Sequence, residues 1–185
     1  MDDRKNHLCP VERAGRLDNV FRRWLHNPRR ILGPYVEGGM TVLDFGCGPG
    51  HFTVDMAQLV GKSGRVIAAD CQEGMLEKLR CKIEGTPLED RVTLHRCQEN
   101  GIGLSEKVDF ALACYVVHEI PNQGGFFKEL ESLLQPQGQV LVVEPPFHVS
   151  KSAFLKTIKR AQDAGFTPHE GPRVVFSKTV ILKKG

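Results

Sequence analysis

The chain has 185 residues, of which 41% are hydrophobic and 25% charged, so we expect one globular domain with a sizeable core. A net charge of +3 is too small to indicate a nucleic-acid partner, and no apolar run has the length of a membrane span. The polar first residues do not match a secretory signal, and the six cysteines show neither a C-x-x-C pair nor zinc spacing. We therefore expect a cytoplasmic protein with reduced thiols and no metal site.

The N-terminal part is rich in arginine and precedes the first predicted strand. Six arginines fall within residues 13–30, and Val20, Phe21 and Trp24 form an apolar stripe at helical spacing. These arginines form either a solvated helix face or a docking surface for an anionic substrate or partner. Pro28 interrupts the helical pattern, so a second short helix is expected after it.

Beyond residue 40, predicted strands alternate with predicted helices. This alternation predicts a Rossmann-like α/β fold, with a doubly wound, mostly parallel sheet and helices on both faces. The last strand follows no further crossover helix, so we expect it to be antiparallel in a sheet of about seven strands. The predicted strands are 41–45, 65–70, 91–97, 108–117 and 139–144, with one or two more in residues 166–184, one of them 177–183. The predicted helices are 51–60, 74–84, 126–134 and 151–164, and residues 135–138 form a predicted turn.

A glycine-rich turn directly follows the first of these strands. In residues 42–50, three apolar positions and Asp44 lead into Gly46, Gly48 and Gly50. Glycine permits positive φ and a close approach of the main chain to a ligand, and the following helix start would direct N–H groups at it. Asp70 ends the second strand, where a carboxylate can accept hydrogen bonds from both hydroxyls of a ribose. Together these features predict a site for an adenosine-containing cofactor.

Two such cofactors are candidates, and the glycine spacing separates them. A dinucleotide fingerprint that begins at Gly46 needs a glycine where His51 stands. The pieces VLDFGCGPG, VIAAD, LACYVVHEIP and LLQPQGQVLVVEP, in this order, resemble the class I S-adenosylmethionine-dependent methyltransferases. The resemblance covers roughly residues 30–184, and the chain is most similar to the small-molecule type typified by the methyltransferases of quinone biosynthesis.

The resemblance implies transfer of a methyl group from S-adenosyl-L-methionine to a small-molecule acceptor by in-line displacement, with S-adenosyl-L-homocysteine as the product. It implies that the backbone at residues 46–48 follows the methionine part of the cofactor, that Asp44 holds its amino group and that Asp70 binds the ribose. Gln98 stands where the family usually has aspartate, and its amide oxygen can accept the same adenine hydrogen bond without charge. The cofactor-binding residues that the resemblance implies are Asp44, Gly46, Cys47, Gly48, Asp70, Cys71, Met75, Gln98, Glu99 and Cys114.

Each of these residues also has a structural alternative. The glycines can serve only a tight turn, and Asp70 can cap the helix that follows it. Cys71, Met75 and Cys114 can simply fill the core, as buried cysteine and methionine usually do.

A general base is required only if the acceptor must lose a proton. The candidates are Tyr115, His118, Glu119 and Glu144, which follow the fourth strand or end the fifth. We favour His118 as the catalytic residue because imidazole titrates near neutral pH, the alternative being a loop histidine bonded to backbone. His148 is a weaker candidate for contact with the substrate.

We interpret residues 1–37 as an N-terminal helical cap segment that closes over the site, and residues 38–185 as the S-adenosylmethionine-binding domain. Deletion of residues 1–30 is then expected to weaken use of the acceptor more than cofactor binding. Two other functions remain open: a non-catalytic cofactor-binding or partner-activating subunit, and a methyltransferase that acts on RNA or protein. A dinucleotide oxidoreductase is disfavoured by the glycine spacing. The sequence leaves a homodimer open.

Overall fold

The computed structural model describes residues 27–98 and 101–185. The predictions for residues 1–26 and for Glu99 fall outside this part of the chain. None of the helices in the described part has the length and apolar character that crossing a bilayer requires. The helices are α1 (Pro28–Leu32), α2 (Thr53–Leu59), α3 (Glu73–Ile83), α4 (Gln123–Leu133) and α5 (Lys151–Asp163), with 3₁₀ turns at Glu89–Arg91 and Val117–Glu119.

Seven strands form one sheet in the order β3-β2-β1-β4-β5-β7-β6. The strands β1 to β5 pair in parallel, whereas β7 is antiparallel to both β5 and β6. The predicted Rossmann-like sheet with an antiparallel C-terminal strand is therefore confirmed. The strands are β1 (Thr41–Phe45), β2 (Arg65–Asp70), β3 (Val92–Arg96), β4 (Val108–Cys114), β5 (Leu134–Glu144), β6 (Phe166–Glu170) and β7 (Lys178–Lys184).

Helices cover both faces of the sheet because successive strand residues alternate between them. On β1, Val42 packs with the residues of α1 and α2, while Leu43 packs with those of α4 and α5. The central strand β4 is buried at nearly every position, as its continuous apolar run predicts. The strand order changes direction between β1 and β4. Open α/β sheets bind ligands at the carboxyl ends of the strands beside such a point, which here are the ends of β1, β2 and β4.

Two strand boundaries differ from the sequence prediction by more than one residue. The strand β5 begins at Leu134 rather than at residue 139, because Leu134 already pairs with Val108. The next pair joins Gln139 to Phe110, so the predicted turn at residues 135–138 is accommodated as a bulge within the strand. The strand β4 ends at Cys114, three residues early, because the next residue leaves the extended conformation.

Candidate cofactor and acceptor site

The glycine turn after β1 has the backbone that its sequence predicts. Gly46, Gly48 and Gly50 all have positive φ, at 70°, 53° and 81°. A Cβ at Gly46 would lie 2.6 Å from Val116, and one at Gly50 would lie 2.3 Å from Leu79. The packed side chains therefore leave no room for a ligand beside these two glycines. A Cβ at Gly48 would meet nothing within 4 Å. The turn thus has one open side, at Gly48, where a ligand can reach the main chain.

Asp70 lies at the end of β2 and faces this turn. Its Oδ2 accepts a hydrogen bond from the Gly48 backbone N–H at 2.9 Å, and its Oδ1 accepts one from the Gln72 N–H at 2.9 Å. Burial raises the pKa of Asp70, while these backbone hydrogen bonds act in the opposite direction. Each carboxylate oxygen has a second lone pair, so the side chain can also accept from ribose hydroxyls. Asp70 therefore joins the second strand to the open side of the glycine turn.

Asp44 lies deeper, in β1, and is 2% exposed. Its Oδ2 accepts a hydrogen bond from the Thr53 hydroxyl at 2.5 Å, at the first residue of α2. Burial raises the pKa of Asp44 to about 7, with a smaller contribution from the negative charge of Asp70. A cation beside this pair of carboxylates would favour the ionised form of both. The arrangement suits the ammonium group of an amino acid.

The residues implied to surround adenine are spread along the same edge of the sheet. Cys71 is exposed after β2 and Gln98 is exposed after β3, where it bridges to Gly101. Met75 is 2% exposed in α3, within the core. Cys114 is partly buried at the end of β4. The adenine contacts of these side chains stay a prediction.

The cysteines at this edge are poorly suited to nucleophilic chemistry. Burial raises the pKa of Cys47 and raises that of Cys97 to about 12, while partial loss of contact with water raises that of the more exposed Cys71. The neighbouring acidic groups add to each shift. With these raised pKa values the side chains remain neutral thiols near neutral pH. The reactive form of cysteine is the thiolate, so they are poor nucleophiles.

A histidine–carboxylate pair lies beyond the glycine turn, at the ends of β4 and β5. The Nδ1 of His118 donates to Oε2 of Glu144 at 2.6 Å, and the His118 backbone N–H donates to Oε1 at 3.1 Å. The Glu144 side chain is 1% exposed, whereas that of His118 is 27% exposed. The hydrogen bond that His118 donates to Glu144 is the main cause that raises the pKa of His118, against the lowering effect of burial. Because Nδ1 is held by the carboxylate, Nε2 is the nitrogen left to exchange a proton.

Three further residues accompany this pair. Tyr115 has φ of 60°, a strained conformation for a residue with a side chain, and its hydroxyl is 2.6 Å from Oγ of Ser177. Burial raises the pKa of Glu119 to about 7, with smaller contributions from Asp70 and Glu144. The His148 ring lies beside that of His118, with centroids 6.3 Å apart. The four proposed bases are therefore neighbours along one edge of the sheet.

Sequence reasoning missed two supporting contacts. It did not identify Thr53 as the partner of Asp44, although a threonine at a helix start is a typical hydrogen-bonding residue. It also missed Glu129 of α4, whose carboxylate accepts from the Ile102 and Gly103 N–H groups and orders the chain after β3. No local sequence signal identifies Glu129, because its partners are 26 and 27 residues away.

The residues present fit S-adenosylmethionine. The open side of the turn at Gly48 can receive an amino-acid moiety, and the nearby carboxylates of Asp44 and Asp70 suit an ammonium group and a ribose. These groups come from β1, β2 and the turn between β1 and α2.

Comparison with known proteins agrees with this geometry. A family model described as a methyltransferase domain matches residues 37–172. A demethylmenaquinone methyltransferase of Lactococcus lactis is 33% identical over 122 residues, which are 63% of this chain and 47% of that protein. A second one, from Bacillus cereus, is 27% identical over 126 residues, or 66% of this chain and 51% of that protein. The chain thus spans about half the length of the curated relatives it matches.

Solved structures give the same fold. A SAM-dependent methyltransferase from Aquifex aeolicus aligns with a TM-score of 0.84 and 25% identity, covering 95% of this chain and 98% of that one. The [4+2]-cyclase SpnF aligns with a TM-score of 0.67 and 17% identity over 80% of this chain and 58% of that one, a likeness of fold alone. The glycine turn, the strand-end carboxylates and the matched family model lead to one conclusion: this chain belongs to the class I S-adenosylmethionine-dependent methyltransferases.

Proposed function

We propose that the protein methylates a small-molecule acceptor and that His118 removes the acceptor's proton. The observation that supports this most directly is the contact between His118 Nδ1 and Glu144 Oε2, at 2.6 Å, on the side of the turn next to β5. When bound, S-adenosylmethionine supplies a methyl group already activated on a sulfonium. The task of the chain is therefore to align the acceptor, exclude water and receive a proton, and alignment alone contributes on the order of 7–11 kcal/mol.

Glu144 acts on His118 rather than on the acceptor. It is 1% exposed and bonded to both the backbone and the ring of His118, so it fixes the ring and leaves Nε2 unprotonated when the histidine is neutral. The neutral ring is the form that accepts a proton, and the Glu144 contact makes it a stronger base by raising its pKa.

We propose a quinol as the first acceptor to assay. The curated relatives in the comparison are named demethylmenaquinone methyltransferase, and this chain covers about half of their length. A phenolic ring hydroxyl loses a proton as its ring becomes nucleophilic, which is the task that the His118–Glu144 pair suits.

The test is methyl transfer from labelled S-adenosylmethionine to a short-chain demethylated naphthoquinol, compared with RNA and protein acceptors. We expect the label in the quinol product, and its loss in His118→Gln with unchanged calorimetric binding of S-adenosylhomocysteine. Absence of any heat with S-adenosylhomocysteine would overturn the cofactor site. Normal heat without methylation of any acceptor would favour a non-catalytic, partner-activating subunit, and label in RNA or protein would replace the small-molecule acceptor.

We also propose that residues 1–26 contribute to acceptor selection. The chain enters the described part beside α1, where Leu32 is fully buried, so a truncation should stop before this helix. Deletion of residues 1–26 is expected to raise KM for the acceptor while the affinity for S-adenosylhomocysteine changes little. Equal loss of both would contradict the proposal.

A cytoplasmic location completes the proposal. The five cysteines in the described part of the chain are free thiols, as a reducing compartment favours. Alkylation of intact cells, with the modified thiols counted by mass spectrometry, tests it: protection of Cys71 or Cys81 as a disulfide would contradict the location.

A further inference from the structure

Large apolar side chains are exposed at one place beside the proposed acceptor site. Among the described residues, the exposed large hydrophobic side chains are Phe147 at 93%, Phe176 at 80%, Leu155 at 55% and Val175 at 43%. Three of the four belong to two loops, residues 145–150 after β5 and residues 171–177 before β7. We call Phe147, Val175 and Phe176 the apolar rim.

The two loops that carry the apolar rim are neighbours in space. Glu144 and Lys178, which adjoin them, are paired across β5 and β7, and Lys178 Nζ donates to the Pro146 carbonyl at 3.5 Å. The second loop also contacts the end of β4, since Oγ of Ser177 lies 2.6 Å from the hydroxyl of Tyr115. The apolar rim thus borders the same strand ends that carry His118.

The charges around the apolar rim have one dominant sign. Neither loop contains an aspartate or glutamate, while Arg173 lies within the second loop and Lys151 and Lys178 flank the two loops. Of the acids that adjoin the loops, Glu144 is buried against His118, and Glu170 is exposed. Exposed phenylalanines with lysine and arginine around them are the combination that binds the interface of an anionic bilayer.

The size of the apolar rim argues against a second copy of the chain as its occupant. Two phenylalanines and a valine at these exposures present roughly 400 Å² of apolar area. A stable protein interface needs about 800 Å² from each partner. Aromatic side chains at the tips of two loops can instead enter the headgroup region of a bilayer without a matching flat surface.

We propose that the apolar rim docks the protein on the surface of an anionic lipid bilayer. Phe147, Phe176 and Val175 enter the interface, and Lys151, Arg173 and Lys178 contact the anionic headgroups. Docking places the acceptor end of the site against the membrane, where an apolar acceptor is concentrated. This last consequence rests on the proposed function, whereas the docking itself does not.

The test is co-sedimentation of the full chain with phosphatidylcholine vesicles and with mixed phosphatidylcholine–phosphatidylglycerol vesicles. We expect binding to the mixed vesicles, and about tenfold or more weaker binding when Phe147→Ser and Phe176→Ser are combined. Leu155→Ser, an exposed apolar residue of α5 outside the two loops, is the matched control and should bind as the unchanged chain does.

A second pair of variants tests the charges. Combining Lys151→Gln with Arg173→Gln should weaken binding to the mixed vesicles by about fivefold for each charge removed. Lys62→Gln, an exposed lysine in the turn before β2 at the opposite edge of the sheet, should leave it unchanged.

Three results would overturn the proposal. They are no sedimentation of the unchanged chain with mixed vesicles, equal sedimentation of the Phe147→Ser/Phe176→Ser variant, and self-association without lipid that the same variant abolishes. Thermal melting and S-adenosylhomocysteine calorimetry on each preparation verify folding. They also separate a failure of docking from a failure of the proposed function, because neither measurement depends on vesicles.

Discussion

The proposed site has two halves that are built in different ways. The proposed cofactor half comes from residues 41–70, and its turn depends on backbone conformation, with Asp70 bonded to the Gly48 N–H 22 residues away. The acceptor half depends on side-chain contacts over longer separations, such as His118 with Glu144 and Tyr115 with Ser177, which are 26 and 62 residues apart. We expect changes in the first half to reduce cofactor affinity for every acceptor, and changes in the second half to reduce turnover.

The largest effect is expected in the acceptor half. His118→Gln should lower kcat by about 10²- to 10⁴-fold, the range attributed to a general base, because the acceptor's proton loses its recipient. Steady-state kinetics measures the loss. Affinity for S-adenosylhomocysteine should stay within about twofold, since the contacts of His118 lie outside the glycine turn.

Glu144→Gln tests the second member of the His118–Glu144 pair. A base must be unprotonated, so activity rises with pH through the pKa of His118. The Glu144 carboxylate raises this pKa, and its removal should move the rising limb of the pH–rate profile to lower pH, with a lower plateau because the ring is less well held. A near-normal kcat in His118→Gln, or a limb that does not move in Glu144→Gln, contradicts the assignment.

In the cofactor half, Asp70→Ala should weaken binding of S-adenosylhomocysteine by about 100-fold. The change removes the proposed charged hydrogen bonds to the ribose, worth about 1.5–3 kcal/mol each, and also releases the Gly48 and Gln72 N–H groups. Isothermal calorimetry measures the effect. Asp70→Asn keeps the volume and one acceptor oxygen, so it should lose less; equal affinity in all three proteins would exclude a ribose contact.

A smaller change is expected at the open side of the glycine turn. Gly48→Ala should weaken S-adenosylhomocysteine binding by about tenfold, because the new methyl group occupies space that the ligand needs. Gly61→Ala is matched to it: both glycines have positive φ and nothing within 4 Å of a Cβ, so both variants should lose the same roughly 1–2 kcal/mol of stability. If the Gly48→Ala and Gly61→Ala variants bind S-adenosylhomocysteine equally well, the glycine turn does not contact the ligand.

The smallest effect concerns the pH dependence of cofactor binding. Burial and Asp70 raise the pKa of Asp44 to about 7, so its carboxyl group becomes charged as the pH rises through that value. An ionised Asp44 attracts the ligand's ammonium group, and affinity for S-adenosylhomocysteine should increase by about fivefold from about pH 6 to about pH 8. Asp44→Asn should flatten this dependence. If the affinity of the variant depends on pH as that of the unchanged protein does, Asp44 does not bind the amino group.

Much of the cofactor half could be predicted from the sequence because its determinants are local. Alternating apolar strands and helices specify the layered sheet, and the glycines at 46, 48 and 50 specify a turn with positive φ. Asp70 could be recognised because its position at a strand end follows from the same pattern. The bulge at residues 135–138 could not, because the sequence of those residues is typical of a turn and only the pairing of Leu134 with Val108 keeps them in a strand.

The chain's order of residues alone determined the fold class, the position of the glycine turn and the acid at the end of β2, since short-range periodicity and backbone freedom decide these features. Only the tertiary structure decided that Glu144 holds His118, that Thr53 holds Asp44, and that Phe147 and Phe176 are both exposed on neighbouring loops. The physical reason is that hydrogen-bond partners and burial depend on which distant segments the folded sheet brings together, and no local pattern encodes those contacts.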